Sequence, residues 1–218
     1  MPRKSPQKNP NNLLELKLLK EGFEKVIGID EVGRGAFAGP VYVGAFIYTL
    51  DTKILEGVRD SKLLSKIKRE SISEHFSSEE YLIKIGSVES INKIGIGATI
   101  NKLIKEVYQE LNGDDVFFLI DGYFKENFGQ NTLQIKGGDN LHFSISCASI
   151  VAKVLRDNFM YQQARLFPEY GFEKNVGYGT ATHIDAIKKH GITPIHRTSF
   201  GPIGRIYEQT RTRENNRN

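Results

Sequence analysis

The stretch VIGIDEVGRG, residues 26–35, decides how the rest of the chain is read. It opens as a short apolar run, meets two adjacent acids at Asp30 and Glu31, and breaks on Gly33-Arg34-Gly35. That is the pattern of a buried strand interrupted by charge and glycine. The next segment, PVYVGAFIY (40–48), is β-branched and aromatic and predicts a second strand. YLIKIGSV (81–88), VFFLID (116–121) and TLQIKGG (132–138) predict three more. Helical spacing is expected in between. Leu13, Leu14, Leu16, Leu18 and Leu19 make a short amphipathic helix, and Asp60 or Ser61 caps another through LLSKIKRESISEHF. Longer helices are expected over about 90–111, despite Gly95 and Gly97, and over about 144–167. A shorter one through HIDAIKKH stops at Gly191, with Pro194 beyond it. Three early strands followed by strands separated by long helices predict an α/β fold with a mixed sheet in one domain.

Composition narrows the class. The 218 residues include a single cysteine, Cys147, which excludes an internal disulfide framework and a multi-cysteine zinc site. Cys147 lies in an apolar helical run and is expected to be a small core residue. No apolar run approaches the roughly 20 residues that span a bilayer, and MPRKSPQKNPNN has no apolar stretch behind its basic residues. A cytoplasmic, reducing setting and a monomer are expected. The net charge of +4 favours a polyanion only weakly. Its placement is more telling, with Arg3, Lys4 and Lys8 at one end and Arg205, Arg211, Arg213 and Arg217 at the other. Such tails are ordinarily solvated and can also bind phosphate nonspecifically.

The acids carry the chemistry. Asp30 and Glu31 follow VIGI, Asp121 ends VFFLID, and Asp139 follows TLQIKGG. One strand-end acid ordinarily caps a loop or faces water. Four at three converging strand ends would cost several kcal/mol each to bury unless a cation compensates. Oxygen-only donors suit magnesium or manganese, and this donor set predicts metal-assisted phosphodiester hydrolysis. The spacing of GRGAFAG is not that of a dinucleotide fingerprint, and it leads into a strand rather than a helix. A glycine turn there can bring backbone groups close to a ligand, or serve as an ordinary tight turn with Arg34 in solvent.

At these residues the chain resembles the type 2 ribonuclease H family, and specifically ribonuclease HII. IGIDEVGRGAFAGPV resembles the family's opening motif, and RDSKLLS, LIDGYF, SISCASIVAKVLRD and GYGTATHIDAIKKHGITPIHRTSF follow in order, from about Val26 to Ile203. The resemblance implies a ribonuclease H-like fold, with a five-stranded mixed sheet flanked by helices and a helical C-terminal region. It implies an extension and short helix over 1–22, a catalytic domain over 23–204 and a basic tail over 205–218. The implied activity is endonucleolytic cleavage of RNA paired with DNA, and cleavage 5′ to single ribonucleotides embedded in duplex DNA. The implied products are a 3′-hydroxyl and a 5′-phosphate, and the implied role is ribonucleotide removal during replication and repair.

Position by position, Asp30, Glu31, Asp121 and Asp139 match the acids that bind two divalent ions. Gly33, Arg34, Gly35 and Tyr178 match the residues that recognise the ribonucleotide beside DNA. The sister enzyme, ribonuclease HIII, acts on longer hybrids and carries Gly-Lys-Gly where this chain has Gly33-Arg34-Gly35. A noncatalytic nucleic-acid-binding module is the remaining alternative. Two departures from the family pattern stand out. An extra glycine puts Lys136-Gly137-Gly138 before Asp139, and Cys147 replaces the usual alanine.

Four further residues are candidates for substrate binding. Ser61 and Lys62 precede a predicted helix, whose free amides can meet a phosphate. Lys153 and Arg156 lie three apart on the long helix, where they can face a nucleic-acid backbone or pair with acids such as Asp157. His183 and His196 read as hydrogen-bonding scaffold more readily than as general acids.

Overall fold

The structure is a computed structural model and describes residues 10–215. Arg3, Lys4, Lys8 and Arg217, read as tail charges, lie outside the described residues. The chain forms two compact units: Met1–Val32, Val43–Lys84 and Leu103–Val154 in the first, and Gly33–Tyr42, Ile85–Lys102 and Leu155–Asn218 in the second. Among the described residues no helix is long and apolar enough to cross a membrane.

The first unit carries the sheet. Its strands are β1 (Lys25–Val32), β2 (Val41–Tyr48), β3 (Tyr81–Gly86), β4 (Val116–Asp121) and β5 (Thr132–Ile135). They form one mixed five-stranded sheet in the order β3-β2-β1-β4-β5. β1 and β4 pair in parallel, with Ile29 opposite Ile120, and β4 and β5 pair in parallel, with Asp121 opposite Ile135. Parallel strands in this register end at the same edge, which is why apolar runs ending in acids bring those acids together.

Helices α1 (Leu13–Lys20), α2 (Lys66–Ser73) and the first turns of α5 (Phe143–Leu166) complete this unit's core. Phe46, Phe143, Ile145, Ala148 and Val151 are buried together there, with Cys147 fully buried among them. Burial pushes the Cys147 thiol well above its ordinary pKa, so it behaves as a small apolar side chain. α5 approaches the sheet closely at two glycines. A Cβ on Gly28 would lie within 3.0 Å of the Ser144 carbonyl and the Ile145 nitrogen, and one on Gly44 would lie 2.5 Å from Ala148 O. The start of α5 is capped from α1: buried Glu15 accepts from the Ser144 amide at 2.9 Å and its hydroxyl at 2.8 Å.

Three local boundaries differ from the sequence-based expectation. Asp60 caps a one-turn 3₁₀ segment, Ser61–Leu63, and Ser65 caps α2 by accepting from Lys68 N. The segment over about 90–111 is two helices, α3 (Val88–Ile94) and α4 (Ile96–Leu111), parted at Gly95 with φ +83°. TLQIKGG is a strand only as far as Ile135, so Asp139 sits on a 3₁₀ turn, Gly138–Asn140, after it.

The second unit holds α6 (Phe172–Asn175), α7 (Ala181–His190) and α8 (Gly201–Asn215) around the later part of α5. Ala38, Met160, Tyr170, Phe172, Val176, Ile187 and Ile203 form its buried cluster. Gly191 ends α7, as its sequence predicts, and Thr180 caps its start.

Candidate functional site

In the first unit, Asp30, Asp121 and Asp139 each place one carboxylate oxygen within 4.8 Å of the others. Asp30 lies two residues before the end of β1 and Asp121 at the end of β4, while the turn after β5 carries Asp139. Each is held by a specific donor. Asp30 Oδ1 accepts from Glu31 N at 2.7 Å, Asp121 Oδ1 from Gly138 N at 2.8 Å, and Asp139 Oδ1 from Asn140 Nδ2 at 2.8 Å. The extra glycine has a structural use. Gly137 takes a left-handed φ of +71° as the turn begins, and the next amide is the one that reaches Asp121.

Burial raises the Asp30 pKa well above the usual carboxylate range, and repulsion from Glu31, Asp121 and Asp139 adds to it. Burial also raises Asp121, with Asp139 adding to the rise. Lys62 answers part of this charge, its ammonium standing 3.3 Å from Asp139 Oδ2. Its side chain is 74% exposed, so it meets the acids from the solvent side. Burial lowers the Lys62 pKa, but Asp139, Asp60 and Asp30 outweigh this and raise it. Three clustered oxygen donors with one largely exposed counter-charge suit a hard divalent cation.

Glu31, predicted as a fourth ligand, is not among the three within 4.8 Å and bears on the site through its charge on Asp30. Ser61 is buried, its hydroxyl 2.9 Å from that of Ser149 on α5. Lys153 is half-buried on α5. Lys136 is exposed.

The remaining predicted residues belong to the second unit. Arg34 and Gly35 are exposed, whereas Gly33 is buried with φ +92°. Arg156 is fully buried: Nε donates to Pro40 O at 3.0 Å, Nη1 to Val176 O at 3.0 Å and Nη2 to Ala38 O at 3.1 Å. Its guanidinium also lies 5.6 Å from the centre of the Tyr178 ring, which is 36% exposed. Arg156 therefore serves backbone carbonyls and the inner side of Tyr178, with no surface from which to meet a phosphate.

Sequence reasoning missed Arg197, also fully buried, which donates from Nε to Gly39 O at 2.8 Å and from Nη1 to Arg34 O at 3.0 Å. Burial and then Arg156 push its pKa down to about 9. The only signal for it was its place in the HRTSF end of the last matching block.

His183 and His196 are both buried, with their Nε2 atoms 3.1 Å apart. Burial, and after it His183, lower the His196 pKa from 6.5 to about 4. The folded state therefore prefers the neutral ring. This part of the stability is intact above pH 6.5 and is lost as pH falls from 6.5 towards 4, because the unfolded chain takes up the proton first. The full loss is about 3 kcal/mol. We expect urea midpoints to fall more steeply between pH 7 and 4.5 in wild type than in His196→Gln; parallel curves would remove His196 as the cause.

The sequence matches the ribonuclease HII family over residues 27–202. It is 42% identical over 190 residues to a ribonuclease HII of Caldicellulosiruptor bescii, covering 86% of this chain and 91% of that one. It is also 42% identical over 206 residues to a ribonuclease HII of Clostridium acetobutylicum, covering 89% and 81%. Among solved structures, the fold is similar to ribonuclease H2 of Pyrococcus horikoshii, with TM-score 0.70 and 23% identity, covering 86% of this chain and 99% of that one. With the family matched over residues 27–202 and relatives 42% identical over most of their length, the chain belongs to the ribonuclease HII family, metal-dependent nucleases that hydrolyse RNA in RNA–DNA hybrids.

Proposed function

We propose that this enzyme, besides cutting RNA in hybrids, incises duplex DNA 5′ to a single embedded ribonucleotide and leaves a 3′-hydroxyl and a 5′-phosphate. Its role on this reading is ribonucleotide removal during replication and repair. The observation that carries the proposal is Gly35. It is exposed, its φ lies outside the left-handed region, and a Cβ built on it meets nothing within 4 Å. Folding does not require glycine there, so the missing side chain is best explained by a ligand that comes close to the backbone. Gly33 is different, because its left-handed φ and the nearby Arg156 side chain require glycine for folding alone.

Asp30, Asp121 and Asp139, with Glu31 at their side, are the residues that would hold magnesium or manganese. Bound there, two divalent cations supply positive charge to the phosphodiester oxygens and acidify the attacking water. The chain's own residues do the rest. Lys62 adds a positive charge at the exposed side of the acids. The backbone of Gly33, Arg34 and Gly35 can pair with the 2′-hydroxyl, which distinguishes RNA from DNA and both donates and accepts. Tyr178, partly exposed with Arg156 over its ring, can meet the neighbouring sugar.

The test uses matched duplexes, one with a single ribonucleotide and one a continuous hybrid, with each metal in turn. Gly35→Ala should unfold like wild type and lose about tenfold in kcat/KM on the single-ribonucleotide duplex, the effect of about 1.4 kcal/mol of lost recognition. Wild-type enzyme that cuts only the continuous hybrid would replace this reading with that of a ribonuclease HIII-like enzyme.

A further inference from the structure

Tyr178 sits between two glycines, and both are needed for packing. A Cβ on Gly177, with φ +87°, would collide with Ala38 O, and one on Gly179 would collide with the Phe37 ring. Gly177 is itself anchored, its carbonyl accepting from Phe37 N at 2.8 Å and Ala38 N at 3.1 Å, Arg156 lies over the Tyr178 ring, and the tyrosine backbone adds contacts of its own. Its N–H donates to Asn175 O at 2.8 Å. Its carbonyl accepts from Thr180 N at 2.8 Å and lies 2.9 Å from His183 Nδ1.

The protons of the histidine pair follow from their partners. Tyr178 O can only accept, so His183 Nδ1 carries hydrogen. Thr193 N can only donate, at 2.8 Å, so His196 Nδ1 is bare and its Nε2 carries hydrogen when the ring is neutral. His196 Nε2–H then donates to the bare Nε2 of His183 across 3.1 Å. The chain closes as Thr193 N–H to His196, His196 to His183, and His183 to Tyr178 O, with one proton per contact. A second proton on either ring would set N–H against N–H in a cage of Tyr170 and Phe172, whose ring centres lie 5.1 Å from His196 and 5.2 Å from His183. Burial lowers the pKa of both rings and so keeps this arrangement neutral.

The far end of the chain also holds the glycine turn. Ile195 O accepts from Gly39 N at 2.8 Å, Arg197 N donates to Phe37 O at 2.8 Å, and the Arg197 guanidinium holds Arg34 O and Gly39 O. One segment, Thr193–Arg197, is therefore tied to the Gly33–Gly35 turn on one side and, through the two imidazoles, to Tyr178 on the other.

We propose that His183 and His196 are positioning residues for substrate recognition, a neutral hydrogen-bond relay that fixes Tyr178 relative to the Gly33-Arg34-Gly35 turn. The inference rests on the proposed reading of Tyr178 as a ribonucleotide contact. It assigns the pair no proton transfer with substrate, since both rings are buried.

A double-mutant cycle tests it, scored as the ratio of kcat/KM on a single-ribonucleotide duplex to that on a continuous hybrid. His183→Leu should lower the ratio about tenfold, and His183→Asn, whose Nδ2 can still donate to Tyr178 O, should restore most of it. Combined with Tyr178→Ala, His183→Leu should lower the ratio no further. Additive losses would overturn the relay, whereas an unchanged ratio in Tyr178→Ala alone would overturn the reading beneath it. Should His183→Leu fail to fold, long-range ¹⁵N–¹H spectra of wild type at pH 7.5 decide the matter. Hydrogen on Nδ1 of His183 and Nε2 of His196 supports the relay, and any other pair of ring states overturns it.

Discussion

Asp30→Asn is expected to abolish hydrolysis while leaving the metal-free protein at least as stable as wild type. Asp30 is 5% exposed and lies against Glu31, Asp121 and Asp139. Its raised pKa means that the protein opposes the charged form when no cation is bound. Asparagine keeps an oxygen for the Glu31 amide at Oδ1 and removes the charge. The metal-free variant should therefore melt no lower than wild type, since a buried carboxylate without compensation costs stability. Activity should move the other way. Removing one of three clustered donors takes away several kcal/mol of cation-borne stabilisation, a loss of about 10³-fold in kcat/KM. Calorimetry with manganese should show weaker binding, and thermal scans should show that manganese no longer raises the melting temperature as far. Activity within tenfold of wild type would remove Asp30 from the metal site. A large drop in metal-free stability would mean that its charge serves the fold instead.

Asp30 and Asp121 were legible in sequence because each closes an apolar run, and parallel pairing in register carries both to one sheet edge. Asp139 was legible as the acid that follows TLQIKGG, but its setting was not, since the strand stops at Ile135 and the acid sits on a 3₁₀ turn. Its turn has no strand pattern of its own, and no sequence pattern discloses that the Gly138 amide before it holds Asp121. Arg156 shows the opposite failure. A cation on a helix beside other charges reads as a phosphate contact, yet three carbonyls of loops distant in sequence claim it. Burial of that kind depends on where the chain returns, which local periodicity does not encode. The histidine relay is similar: His183 and His196 are 13 residues apart and their tautomers are set by Tyr178 and Thr193, so neither residue type nor spacing discloses it. Several helix ends were legible to within a few residues, but Ser65 rather than Asp60 begins α2, Gly95 parts α3 from α4, and α8 runs into the segment read as a tail.

Gly28→Ala is expected to damage both fold and activity, although it adds a single methyl group. Glycine in the middle of a strand normally weakens it, and VIGI and VYVGAFIY each contain one. The structure supplies the reason: α5 lies so near β1 that a Cβ on Gly28 would fall 2.6 Å from Ser144 O and closer still to the adjoining peptide atoms. These are backbone atoms of a helix, which cannot rotate aside as a side chain can. Strand or helix must shift by most of an ångström, against a core packed as densely as a crystal. The cost should reach about 3 kcal/mol, the upper end for overpacking. The same shift disturbs the acids, because Asp30 lies two residues along the strand, on the face that Gly28 presents to α5. Ser149 of that helix also hydrogen-bonds the Asp30 side chain. Urea unfolding and hybrid cleavage should therefore fall together in Gly28→Ala, whereas Gly35→Ala should spare stability and lose recognition. If Gly28→Ala unfolds within about 0.5 kcal/mol of wild type, the scale of an ordinary surface substitution, then close contact of α5 with β1 is not what fixes Asp30.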